Sequence, residues 1–174
     1  RYTRGHSERV TMFSVAIAAQ MGLSEDEQQI VRLSALLHDV GKIGVPEHLL
    51  RSTTKFTTED MAVMKTHPEV GERMCAPLAS LEEILPIVRS HHERLDGSGY
   101  PDGLTGDRIP LLVRIVSLMD VYDALTTERP YRKPMTFSAA LEEIDRDVLG
   151  GKLDGNLFRI LSRMVGPASG NTMT

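Results

Sequence analysis

Five residues stand out because their chemistry conflicts with their neighbours. His38 and Asp39 lie between Leu36-Leu37 and Val40, and His91 and His92 follow Ile84, Leu85, Ile87 and Val88. Asp120 comes directly after Leu111-Leu112-Val113, Ile115-Val116 and Leu118-Met119. An unpaired buried carboxylate costs several kcal/mol, so an acid carried inward by an apolar segment needs a cation. A lone histidine in such a place is more often a satisfied core or surface residue. A His-Asp pair, a His-His pair and an Asp from three separate apolar segments are much harder to explain that way. Packed helices can bring such groups to one point, as in carboxylate and histidine metal sites of bundles. Imidazole with carboxylate suits iron, manganese, nickel or zinc better than calcium.

The elements that must position these groups read as helices. Ser7 to Gln20 is apolar at Val10, Phe13, Val15 and Ile17, and Gly22 closes it. Ser24 with Glu27 forms a capping box, followed by Ile30, Leu33, Leu36 and Leu37 on one face. That helix ends near Asp39, because Gly41, Gly44 and Pro46 break the pattern. Thr57 caps a helix through Lys65. Pro68 suits a first helical position and biases His67 away from helical angles. A helix from Leu81 to Glu93 carries Pro86 as a kink, and a glycine-rich loop spans Asp96 to Asp107. The longest helix is expected over Leu111–Thr126, apolar nearly all round and therefore buried. Two more are expected at Ser138–Leu149 and Asp154–Met164. No segment alternates apolar with polar residues, so the fold class is all-α.

Composition narrows the partners. Of 174 residues, 41% are hydrophobic and 25% charged, which suits one globular domain. With aromatics at 5% and Trp absent, aliphatic side chains and nine Met must fill the interior. The net charge of −4 and the absence of a Lys/Arg run disfavour a grip on long nucleic acid. A small anion is still acceptable, because bound metal ions reverse the sign of a pocket. The single Cys75 excludes an internal disulfide and fits a reducing compartment, so a cytoplasmic domain is expected. No apolar run is long enough to span a membrane, although the parent protein could be membrane-tethered. The chain opens at Arg1 without Met, within what reads as a functional segment. Residues 1–165 are therefore expected to be one domain of a longer protein, with 166–174 a flexible tail.

The stretches RYTRGHSERV, LLHDVGKIGVPEHLL, KTHPEVG, SHHERLDGSGYPDGLTGDRIPL and SLMDVYDALTTERPYRKPM, in that order, closely resemble HD-GYP domains. The resemblance runs from Tyr2 to Phe137. A His-Asp pair alone is weak evidence, whereas HHERLDGSGYP followed by DVYDALTTERPYR is very specific. The resemblance implies an HD-type helical bundle with a Gly-rich GYP loop, and a metal-dependent cyclic di-GMP phosphodiesterase. The implied metal ligands are His6, His38, Asp39, His67, His91, His92 and Asp120. Asp39 would bridge, since a carboxylate can offer one oxygen to each of two ions. Some members carry a Glu where Tyr2 stands, and a phenol is a poor substitute. Two divalent transition metal ions are therefore expected, iron or manganese first, with nickel or zinc also suited.

The family pattern further implies catalytic roles for Asp39 and Lys42. Lys42 would bind phosphate and protonate the leaving oxygen, while Tyr100, Arg129 and Arg132 would touch the nucleotide. Arginine can do so by bidentate hydrogen bonds or by stacking. Asp123 shares a helix face with Asp120 and is read either as orienting a ligand or an arginine, or as an ordinary ion pair. His48 is read as an ordinary surface residue and Cys75 as a core or interface residue. Two ions can hold a bridging water, lower its pKa and clamp phosphate oxygens, so the expected nucleophile is a metal hydroxide. The expected partners are a cyclic dinucleotide substrate, an upstream sensory or receiver domain, a diguanylate cyclase and a second copy of the chain. Two other functions fit the motifs less well: a general HD nucleotide phosphohydrolase, and a non-catalytic module that binds a dinucleotide or a partner.

Overall fold

A computed structural model describes residues 2–128 and 133–166. Among the described residues the fold is built from helices and short 3-10 turns. The helices are α1 (Tyr2–Gln20), α2 (Glu25–Leu37), α3 (Glu47–Leu50), α4 (Thr58–Met64), α5 (His67–Cys75), α6 (Leu85–Ser90), α7 (Leu111–Thr126), α8 (Phe137–Leu149) and α9 (Gly155–Val165). Among the same residues no strand forms, and one isolated antiparallel bridge joins Asp96 to Thr105. Among the described residues no helix is long and apolar enough to cross a membrane.

Helix α7 is the axis of the bundle and packs against α1, α2, α6, α8 and α9. Val113, Ile115, Val116, Leu118, Met119 and Tyr122 are buried on every side of it, as its sequence demands. Val10 and Ile17 of α1, Val31 and Ala35 of α2, Ile144 of α8 and Leu157 and Leu161 of α9 complete one core. Each buried Val, Ile or Leu among them contributes roughly 1.5–3 kcal/mol by leaving water.

The predicted capping box forms at Ser24–Glu27, and the expected N-cap Thr57 forms a box of its own with Asp60. Elsewhere the structure corrects the sequence reading. At 19 residues α1 is longer than the 16-residue α7, and it starts at Tyr2 instead of Ser7. Its opening residues are polar and gave no periodic signal, because His6 there faces the site and not the core. The buried stripe of α2 is Val31, Ser34, Ala35 and His38, whereas Leu36 is 49% exposed. Small residues lie inward because α1 packs closely there, and His38 continues their helical spacing. The expected helix from Leu81 to Glu93 is a 3-10 turn (Ala79–Ile84) followed by α6. Pro86 lies in the first turn of α6, where its missing N–H is harmless, so it restarts a helix instead of kinking one. His67 is the first residue of α5, not its flank. Segment 40–50, read as a loop, contains a 3-10 turn (Val40–Gly44) and α3. From Pro167 onward the expected tail lies outside the described residues, as do Arg129 and Arg132.

Candidate metal centre

Helix ends deliver most of the site. His38 and His91 cap the C-termini of α2 and α6, and Asp39 and His92 are the next residues along. His67 opens α5 just after α4. His6 comes from the second turn of α1, and Asp120 and Asp123 from α7.

Three of the imidazoles are set by one local device. His38 Nδ1 lies 2.7 Å from Ala35 O, His67 Nδ1 2.8 Å from Met64 O, and His91 Nδ1 2.9 Å from Val88 O. The last carbonyls of a helix have no partner within it, and the histidine three residues on supplies one. A ring nitrogen beside a carbonyl oxygen must carry a proton, so it is each Nε2 that faces the site. His6 is set differently. Its Nδ1 donates to Asp123 Oδ2 at 2.6 Å, and Asp123 also takes Arg9 Nε at 2.5 Å and Nη2 at 3.0 Å. Asp123 therefore both orients a histidine and pairs with an arginine.

The free faces converge. His6 Nε2 and His38 Nε2 stand 3.3 Å apart, as do His67 Nε2 and His91 Nε2. Asp39 lies between these pairs: its Oδ2 is 3.7 Å from His6 and 3.6 Å from His38, and its Oδ1 is 3.4 Å from His67 and 3.9 Å from His91. Two donor sets result, Asp39 with His67, His91 and His92, and Asp39 with His6 and His38, the donor atoms of each lying within 4.8 Å of one another. Asp120 belongs to neither set but faces both, with Oδ1 3.3 Å from His6 Nε2 and Oδ2 3.8 Å from His92 Nδ1. Its side chain, expected to be buried, is 14% exposed. Lys42 Nζ lies 2.5 Å from Asp39 Oδ2.

Such an arrangement fits cations. Ring nitrogens that meet at 3.3 Å need a proton or a metal ion between them. Burial, reinforced by the neighbouring rings, pushes His91 well below its ordinary range, and burial takes His92 down to about 3. Both are neutral donors at pH 7. Burial also opposes a charge on His6, but hydrogen bonds to Asp120 and Asp123 overcome it and raise this group to about 9. Burial would lift the Asp39 carboxyl, yet His38, Lys42 and the bond from His67 hold it well below the carboxylate range. The cluster can therefore bind metal ions.

Two contributors were not picked out from the sequence. Arg9 follows His6 by three residues, a spacing that puts both on one helical face and could have flagged a shared partner. Glu93 is only 2% exposed, and its two oxygens accept from Asp102 N at 2.7 Å and Leu104 N at 3.0 Å. A carboxylate just before a glycine-rich turn, whose N–H groups need acceptors, was the available signal. Tyr100 lies against the site, its ring stacked on His92 with centroids 4.8 Å apart. His48 is exposed and Cys75 buried, both away from the donor sets.

Known proteins share this architecture. The chain is 44% identical over 141 residues to the cyclic di-GMP phosphodiesterase response regulator RpfG of Xanthomonas campestris, covering 80% of this chain and 37% of that protein. It is 36% identical over 162 residues to 3′3′-cGAMP-specific phosphodiesterase 3 of Vibrio cholerae, covering 93% and 35%. The chain thus spans little more than a third of the length of these relatives. Among solved structures, Bd1817, a HDG"Y"P protein from Bdellovibrio bacteriovorus, superposes with a TM-score of 0.77 at 25% identity, covering 95% of this chain and 53% of that one. Residues 2–157 match the family model described as HD domain, a span that takes in every residue of the two donor sets. From α1 into α9, then, the chain is a member of the HD domain family, and its relatives put it in the HD-GYP branch.

Proposed function

We propose that this chain hydrolyses a phosphodiester bond of a cyclic dinucleotide, cyclic di-GMP or a mixed guanine–adenine species, with two divalent transition metal ions. One ion would be held by His6, His38 and Asp39 and the other by Asp39, His67, His91 and His92, with Asp120 facing both. The observation that carries this reading is the shared carboxylate: Asp39 turns one oxygen to each pair of imidazoles. Iron or manganese suits these nitrogen and oxygen donors first, nickel or zinc next.

Bound ions of this kind supply Lewis acidity and a nucleophile available at neutral pH. The protein's own part is to orient and to balance charge. Asp39 and Asp120 are the only carboxylates among the proposed ligands, so a loaded site keeps a positive surplus that attracts a phosphodiester. Lys42 lies beside Asp39, where its ammonium can hold a phosphate oxygen and protonate the departing one. Asp123, with Arg9 behind it, keeps His6 facing inward. Arg129 and Arg132, carried over from the family pattern, would grip phosphate or guanine.

The relatives are more than twice the chain's length, which supports a larger parent protein with a sensory or receiver part. A cytoplasmic setting, a diguanylate cyclase partner and a homodimer belong to the same reading.

The test is product analysis after loading with iron(II) or manganese(II), using cyclic di-GMP, 3′3′-cGAMP and nucleoside monophosphates side by side. Linear dinucleotide, with or without further conversion to GMP, is the expected product. Turnover of monophosphates alone would mark a general nucleotide phosphohydrolase, and ion binding without turnover of any substrate would mark a binding module.

A further inference from the structure

Of the five imidazoles in the cluster, four have a ring nitrogen fixed by a hydrogen bond, His6 to Asp123 and the others to backbone carbonyls. His92 is the exception among the described residues. Its nearest carboxylate oxygen, Asp120 Oδ2, is 3.8 Å away. Rings hold it instead: Tyr100 stacks on it at 4.8 Å with an interplanar angle of 26°, and His91 leans on it at 4.1 Å. Ligating histidines are normally oriented by a hydrogen bond on the far nitrogen, so His92 needs another device.

Tyr100 can serve only if its loop is rigid, and the loop is fastened from several sides. Glu93, buried, takes one backbone N–H of the loop on each carboxylate oxygen, from Asp102 and Leu104. Tyr100 N reaches back to His92 O at 3.3 Å. Gly99 lies so near the chain at residues 93–94 that a Cβ there would stand 2.4 Å from Glu93 Cα and from Arg94 N. On the outer side Arg89 makes two parallel bonds of 2.8 Å to Asp102 and one of 2.5 Å to Glu72 of α5. Lys65 places its ammonium 5.1 Å from the Tyr100 ring centre.

We propose that Tyr100 and Glu93 are positioning residues for the metal centre: Glu93 clasps the glycine-rich loop, and the loop lays the Tyr100 ring on His92 to hold that imidazole in its ligating orientation. This role rests on the two-ion reading above. It differs from a nucleotide contact by Tyr100, because it acts before any substrate is present.

The experiment titrates manganese(II) alone into the wild-type chain and into Tyr100→Leu, Tyr100→Phe and Glu93→Gln, with melting curves recorded beside each. Tyr100→Phe keeps the ring and should bind both ions as the wild type does. Tyr100→Leu should weaken one ion by about tenfold or more and leave the other unchanged. Glu93→Gln should weaken the same ion, with faster amide exchange at Asp102 and Leu104. A folded Tyr100→Leu chain that binds both ions with wild-type affinity overturns the role of Tyr100 while leaving the two-ion centre intact. A wild-type chain that takes up no ion overturns both.

Discussion

Replacing Gly41 by alanine should open the metal centre without altering a single ligand. A Cβ at residue 41 would stand 1.9 Å from the His67 carbonyl oxygen and 2.4 Å from Gly71 N. Both are backbone atoms of α5, so no side chain can swing aside and the two segments must part. Ordinary contact begins near 3.4 Å, which requires a retreat of about 1.5 Å. His67 rides on α5, and its Nε2, now 3.4 Å from Asp39 Oδ1, would move with it. Metal–ligand distances tolerate only about 0.2 Å, and a misplacement of about 1 Å at a reacting centre costs on the order of 100-fold. Gly41→Ala should therefore lose about 100-fold in affinity for one ion. The overpacked core should also lose about 1–3 kcal/mol of stability. Calorimetric manganese(II) titration with a thermal melt reads both. Gly44→Ala is the control, because its Cβ would meet only the Val70 side chain, the nearest methyl at 3.1 Å. A Gly41→Ala chain that melts and binds both ions like the wild type would refute the argument.

Asp39→Ala removes the oxygen shared by both donor sets and should weaken metal binding by more than about 100-fold and abolish turnover, since even outer partners of a ligand are worth 10–100-fold. Circular dichroism should show the helical content retained, and residual full activity would contradict the centre. Arg129→Ala should raise KM for a cyclic dinucleotide by roughly tenfold, the loss of one charged hydrogen-bonding partner, with metal content unchanged. Loss of metal in that variant would mean the arginine is misassigned. Because His6 is raised to about 9, it is protonated at pH 7 and an incoming ion must displace its proton. Apparent metal affinity should climb about tenfold per pH unit below 9 and flatten above it, and calorimetry in two buffers should register the released proton.

The residues that betray their role in the sequence are those whose own element is apolar. His38, His91 and Asp120 stand at the ends or on the flank of buried helices, and α7 is inside because no polar face is left to expose. Ser24 and Thr57 announce their caps through bonding that is complete within four residues. His67 gave no such sign. Its neighbours Lys65, Thr66 and Pro68 are unremarkable, and it is buried because Gly41 and Gly71 let two distant segments touch. Its place came only through the family resemblance. Arg9 and Glu93 escaped notice for the same reason, since their partners lie 114 residues and 9–11 residues away, in segments whose approach no helical period describes. The breaks in the 81–93 region were hidden by apolar residues that suit a helix and a 3-10 turn alike.

The most direct test is anomalous X-ray scattering from crystals of this chain soaked in manganese(II). Two peaks are predicted, one on each side of the Asp39 carboxylate, the first beside His6 and His38 and the second beside His67, His91 and His92. A single peak, or scattering remote from Asp39, would contradict the account.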